Sequence, residues 1–122
     1  MANPNFLILY VADPLASAAF YSTLLERPPV ESSPGFAMFA LDSGVMLGLW
    51  KRAEVLPAVD KIGAGAEVAF AVKDDAAVDA LRATWSARGL PLLQQPVKMD
   101  FGYTFVAADP DGHRLRVFAP GA

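Results

Sequence analysis

Cysteine is absent from the 122-residue chain, which excludes a disulfide framework, a thiolate metal site and a cysteine nucleophile. Histidine occurs once, as His113, so imidazoles alone cannot build a metal centre. No run of Lys or Arg appears and the formal net charge is -3. This argues against a nucleic-acid partner, whose phosphates require clustered cations. Long hydrophobic runs are missing too: Phe6 to Val11 is of strand length, and no charged leader with a cleavage site precedes it. The expectation is a soluble, cytoplasmic protein with no membrane partner. What the chain has in quantity is apolar residues, 54% of the total, ample for the core of one domain spanning residues 1–122.

Taken in order, Phe6-Leu7-Ile8-Leu9-Tyr10-Val11 is a continuous β-prone run, the pattern of a strand buried on both faces. Asp13-Pro14 then opens a helix, with Asp as N-cap and Pro in the first turn. Within it Phe20 and Leu24 are four apart and predict the face turned to a sheet, and Pro28-Pro29 ends the segment. Phe36 to Leu41 and Val45 to Trp50, joined by Asp42-Ser43-Gly44, read as a hairpin. Lys51 to Gly65 has no sustained period and reads as a linker.

The pattern then starts again. Glu67 to Val72 is a strand, Asp74-Asp75 a capping pair, and Ala76 to Arg88 a helix stopped by Gly89. Val78, Leu81 and Trp85 share its inner face, so Trp85 is expected to be a packing residue. A further strand begins near Leu90. The stretch from Phe101 to Phe118 closes the chain as two strands around Asp109-Pro110-Asp111-Gly112. Val-Ala-Asp at 11 to 13 and Val-Lys-Asp at 72 to 74 occupy equivalent places, so the chain is an internal repeat of two βαβββ halves, about 5–50 and 66–119. The fold class expected is α+β.

The paired strand-Asp-helix openings, Phe20-Tyr21 in the first helix and the Asp-Pro-Asp-Gly-His hairpin at 109 to 113 resemble the vicinal oxygen chelate superfamily. That superfamily includes glyoxalase I, extradiol dioxygenases and bleomycin-resistance proteins. The ending FGYTFVAADPDGHRLRVF, with LGLW at 47 to 50, is similar to phenazine-antibiotic resistance proteins within it. The resemblance implies two curved mixed sheets around a cavity, in a homodimer that exchanges halves between chains across the linker. It also implies four metal-ligand positions, which carried over fall at Phe6, Gly48, Glu67 and Arg116. Of these only Glu67 can bind a cation, and a guanidinium repels one. No metal and no cofactor is therefore expected.

What remains is a cup of rings and aliphatics. If Gly48 faces it, the period of two brings Met46 and Trp50 to the same side, with Phe6, Ile8 and Tyr10 on the first strand and Glu67 on the fifth. The missing side chain at Gly48 is expected to leave room beside the Trp50 indole for a flat guest, while Phe101 and Tyr103 close one side. Glu67 and Arg116 lie in otherwise apolar strands and are expected to form a salt bridge, or Arg116 to hold a polar group of the ligand. His113 is expected in a turn-bonding or solvent-facing role, and Asp109 and Asp111 as turn residues. Ser17, Ser22 and Ser43 have no neighbouring base, so no catalytic residue is assigned. These features point to a binding protein that sequesters a planar aromatic antibiotic or metabolite, phenazine-like or quinoxaline-like, and confers resistance. The alternatives are a metal-dependent lyase, isomerase or dioxygenase with displaced ligands, and a metal-free enzyme using Glu67 as a base.

Overall fold

The computed structural model describes residues 4–59 and 65–121. The chain falls into two compact units, Met1–Ile62 and Gly63–Ala122. Each is a βαβββ unit built on one mixed four-stranded sheet, the repeat that the two strand-Asp-helix openings predict.

In the first unit β1 (Phe6–Val11) leads into α1 (Pro14–Leu25), followed by β2 (Glu31–Ser32), β3 (Phe36–Ala40) and β4 (Met46–Lys51). The strand order is β1-β4-β3-β2, with β1 parallel to β4 and the other pairs antiparallel. Asp13 caps α1 as its sequence requires: Oδ1 accepts from the Leu15 and Ala16 amides at 3.1 and 3.3 Å. The helix stops where Glu26 turns left-handed, φ 54°. Its buried face is Pro14, Ser17, Ala18 and Tyr21 rather than the Phe20 and Leu24 face expected. The inner positions are mostly small, so a pattern of large apolar side chains points one step round the helix, and Phe20 instead sets its ring edge-to-face against Tyr21 at 5.0 Å. Against that face lie β3 and β4, whose alternate residues Ala37, Phe39, Leu47 and Leu49 are buried with Val11.

The expectation that β1 is buried on both faces does not hold. Phe6, Leu7, Ile8 and Tyr10 are each about 40% exposed. The reason is topological: β1 is the edge of its sheet, and a continuous apolar run looks the same in sequence whether its strand is central or marginal. Beyond β4, Arg52–Glu54 form a single 3-10 turn and Val55 is buried; residues 60–64 of the stretch read as a linker lie outside the described residues.

The second unit runs β5 (Glu67–Ala71), α2 (Asp75–Ala87), β6 (Leu92–Met99), β7 (Gly102–Ala108) and β8 (Arg114–Pro120), in the order β5-β8-β7-β6. Asp74 caps α2, its Oδ1 accepting from the Ala77 amide at 2.8 Å. Val78 and Trp85 are buried against the sheet, and Trp85 meets Phe70 and Phe105 edge-to-face at 5.4 and 5.5 Å. Gly102 opens β7 at φ 139°, and a Cβ there would run into the Ala119 carbonyl oxygen, so close backbone approach is what this glycine serves. No helix among the described residues is long and apolar enough to cross a membrane.

Candidate functional site

The face of the first sheet turned away from α1 is a lattice of side chains set by register. Phe6 lies opposite Met46, Ile8 opposite Gly48 and Tyr10 opposite Trp50 on β1 and β4. On the other flank Phe36 lies opposite Trp50, Met38 opposite Gly48 and Ala40 opposite Met46. Tyr10 and Trp50 meet edge-to-face at 6.3 Å.

Gly48 does share this face with Met46 and Trp50, but it is not open. A Cβ built on it would stand 2.9 Å from Phe6 Cε1 and 3.0 Å from Phe36 Cζ. The space expected for a guest beside the indole is the seat of two phenyl rings. Phe6 and Phe36 are diagonal neighbours of Gly48 on the two flanking strands, and long side chains lean across to such positions. Phe36 is the residue that sequence reasoning passed over here. Counting in twos back from Ala40 along β3 puts Phe36 on this face.

In the second unit the face away from α2 carries Glu67, Ala69 and Ala71 from β5, Arg116 and Phe118 from β8, and Thr104 and Val106 from β7, paired in register. Glu67 is a diagonal neighbour of Arg116 across β5 and β8. The expected salt bridge forms: Arg116 Nε donates to Glu67 Oε1 at 2.6 Å. Arg116 Nη1 donates to Thr104 Oγ1 at 3.2 Å, and the same hydroxyl donates to the Val117 carbonyl at 2.8 Å. Thr104, wholly buried, thus locks the guanidinium to the backbone. The guanidinium carbon stands 5.7 Å from the Phe101 ring centroid, and Phe101 meets Phe118 edge-to-face at 5.9 Å. Thr104 and Phe118 were missed in the sequence because both look like ordinary strand residues until register sets them beside Arg116.

The ion pair is half-buried, with side-chain exposures of 17% for Arg116 and 34% for Glu67. Water reaches it, so it sits between a buried pair and a surface one. A double-mutant cycle of Arg116→Met and Glu67→Gln, read by urea unfolding, is expected to give a coupling of about 1 kcal/mol. Zero coupling would show that the contact adds nothing to stability.

Tyr103 does not join Phe101 on this face. Its hydroxyl donates to Asp79 Oδ1 of α2 at 2.8 Å, and its register partner Lys98 reaches Asp75 on the same helix at 3.2 Å. Gly102 lies between the two aromatic residues, and the strand period sends Tyr103 to the helix side with Phe105. The hydrogen bond to the Asp79 carboxylate, aided by burial and by the charge of that group, raises the Tyr103 pKa above the usual tyrosine value.

The closing hairpin puts its chemistry into its own turn. Asp109 is buried; Oδ1 accepts from the Asp111 and His113 amides at 2.9 and 2.8 Å, and Oδ2 lies 2.7 Å from His113 Nδ1. Of the two roles expected for His113, turn-bonding and solvent-facing, it takes the first, and Asp109 is the turn residue expected.

Of the four positions carried over as metal ligands, Phe6 and Gly48 present a phenyl ring and a bare backbone, and Glu67 is engaged by Arg116. No group of three or more His, Cys, Asp or Glu side chains that could hold a metal occurs among the described residues.

A family model described as the Glyoxalase/Bleomycin resistance protein/Dioxygenase superfamily matches residues 3–117. The chain is 27% identical over 118 residues to the phenazine antibiotic resistance protein EhpR of Enterobacter agglomerans, covering 94% of this chain and 90% of that one. It is 55% identical to protein ATC0852 of Agrobacterium tumefaciens, whose solution NMR structure superposes over the whole of both chains with a TM-score of 0.92. A glyoxalase/bleomycin resistance protein/dioxygenase family enzyme of Burkholderia phytofirmans PsJN, 22% identical, shares the fold with a TM-score of 0.84 over 98% of this chain and all of that one. Two βαβββ units in tandem, with a matching family model along nearly their whole length, establish that the chain belongs to the Glyoxalase/Bleomycin resistance protein/Dioxygenase superfamily.

Proposed function

We propose that the protein binds a planar aromatic antibiotic or metabolite without a metal and without transforming it, lowering the free concentration of the compound. The observation that carries this reading is the aromatic face of the first sheet, where Phe6 and Tyr10 are about 40% exposed beside the half-buried Trp50. Rings standing in water at that density recover their hydration cost when a flat molecule covers them. The relationship to a phenazine resistance protein agrees with a guest of this shape.

The superfamily's metal chemistry does not fit the residues present. A hard divalent ion wants several oxygen donors, and a softer one wants imidazoles or thiolates. The carried-over positions offer one carboxylate, and its Oε1 is bound to a guanidinium at 2.6 Å. A fixed cation at that distance opposes a second one. Catalysis by Glu67 alone lacks a partner group as well, because its neighbour Arg116 stays protonated. The working form is a homodimer, as the resemblance implies; a monomeric mass at micromolar concentration would remove that part of the proposal.

Calorimetric titration with phenazine and quinoxaline tests the reading. Saturable binding with recovery of the unchanged compound is expected; no binding of any planar aromatic, or turnover of one, would overturn it. Trp50→Ala is expected to weaken binding by about 1–3 kcal/mol, taking base-aromatic stacking as the guide. That is roughly 5- to 150-fold in Kd. Because Trp50 is half-buried rather than buried like Trp85, its replacement should lower the unfolding transition less than Trp85→Ala does.

A further inference from the structure

Arg116 has hydrogen-bonding capacity that the fold does not consume. A guanidinium carries five N–H donors. Nε is spent on Glu67 and one Nη1 donor on Thr104, while the Nη2 pair meets no acceptor among the described residues. The group cannot swing freely, because the Glu67 and Thr104 bonds hold it from two sides and its central carbon lies over the Phe101 ring, 5.7 Å from the centroid. Around it the sheet face is apolar: Ala69, Phe118 and Phe101 from this unit, the last of them 44% exposed. This is a rigid donor set in an apolar frame, the arrangement that orients a flat ligand by one polar group.

The charge of the donor set decides which polar group fits. Glu67 neutralises Arg116 at 2.6 Å, so the pair offers hydrogen bonds with little net charge. Coulomb energy falls as the inverse of distance. An anionic group about 4 Å from the guanidinium and about 6 Å from the Glu67 carboxylate therefore loses roughly two thirds of its attraction to repulsion. What is left does not offset the desolvation of a carboxylate against an apolar face. A neutral acceptor pays a far smaller desolvation cost and takes the same hydrogen bonds. Arg114, the register partner of Glu67, is the other cation on this face, but it is exposed and forms no ion pair among the described residues, so water screens it.

We propose, resting on the reading above that the protein binds planar aromatics, that the Glu67–Arg116 pair is a specificity element of the second sheet's own face, which Ala69, Phe101 and Phe118 frame. It accepts a planar aromatic ligand carrying a neutral hydrogen-bond acceptor, such as a carboxamide or keto oxygen or a ring nitrogen, and disfavours the carboxylate of the same ring. Glu67 is the residue that sets the preference.

Calorimetry on the full chain with phenazine-1-carboxamide and phenazine-1-carboxylate at neutral pH tests this. The wild type is expected to bind the carboxamide about tenfold more tightly. Glu67→Gln, which keeps an oxygen facing Arg116 but removes the charge, should close the gap by tightening the carboxylate, whereas Arg114→Gln should leave the gap as it is. Equal or tighter carboxylate binding by the wild type overturns the inference, as does a gap that survives Glu67→Gln or follows Arg114. Circular dichroism checks that the Glu67→Gln variant is folded; if it is not, the wild-type ratio of the two ligands decides alone. Should phenazine itself bind and the two derivatives bind equally, only the specificity element falls. If none of the three binds, the aromatic-binding reading falls with it.

Discussion

Trp85→Ala is expected to lower the unfolding free energy by about 3–5 kcal/mol, the range for truncating a large aromatic residue in a packed core. The residue is 2% exposed. Its indole lies between Phe70 of β5 and Phe105 of β7, tilted 81° and 78° to them. Removal leaves a cavity and also dissolves two edge-to-face contacts, each adding on the order of 0.5–1.5 kcal/mol beyond burial. For a domain whose whole stability is about 5–15 kcal/mol, this is a large fraction. Trp85→Phe fills most of the space and should cost clearly less. Urea unfolding followed by far-ultraviolet circular dichroism measures both; a Trp85→Ala loss below about 1 kcal/mol would show that the core collapses around the gap. The two tryptophans of the chain are thus expected to differ, Trp85→Ala costing more stability than Trp50→Ala, whose larger effect falls on the ligand affinity proposed above.

The contrast between those two residues shows where sequence carries information and where it stops. Trp85 falls in helical register with Val78, and burial follows from the period alone. The caps at Asp13 and Asp74 and the repeated βαβββ order were legible for the same reason: each depends on neighbours within a few residues in the chain. The Glu67–Arg116 pair joins residues 49 apart, and it was legible only because the family resemblance supplied the register that places them diagonally. What failed was whatever depends on the lateral order of strands or on which large side chain wins a shared space. The run from Phe6 to Val11 reads as central but lies at an edge. Gly48 reads as an opening, yet two phenyl rings from different strands settle over it. Tyr103 reads as a partner of Phe101, but the alternation of β7 turns it to α2, where Asp79 takes its hydroxyl. In each case the deciding contact comes from a residue whose proximity no local period reveals.

Asp109→Ala is expected to be the most damaging substitution outside the hydrophobic core, costing about 2–4 kcal/mol on the scale of hydrogen bonds to a charged group. The carboxylate side chain has no exposed surface and accepts from two backbone amides and faces His113 Nδ1 at 2.7 Å. These bonds close the five-residue connection between β7 and β8, where Gly112 turns through φ 86° and its amide meets the Asp109 carbonyl at 3.0 Å. Alanine leaves the Asp111 and His113 amides without that partner and empties a buried site. Asp109→Asn separates shape from charge: its carbonyl oxygen can keep both backbone bonds, while the charge facing His113 is lost. The ordering expected in thermal melts is therefore wild type, then Asn, then Ala, with the larger step between the last two. Because Arg116 of β8 stands only four residues beyond Gly112, which closes the turn, loosening this connection should also weaken the ligand binding proposed above. The Asn variant, with its turn retained, should bind as the wild type does. Equal stability of the Asn and Ala variants would mean that the His113 contact, rather than the backbone bonds, holds the hairpin closed.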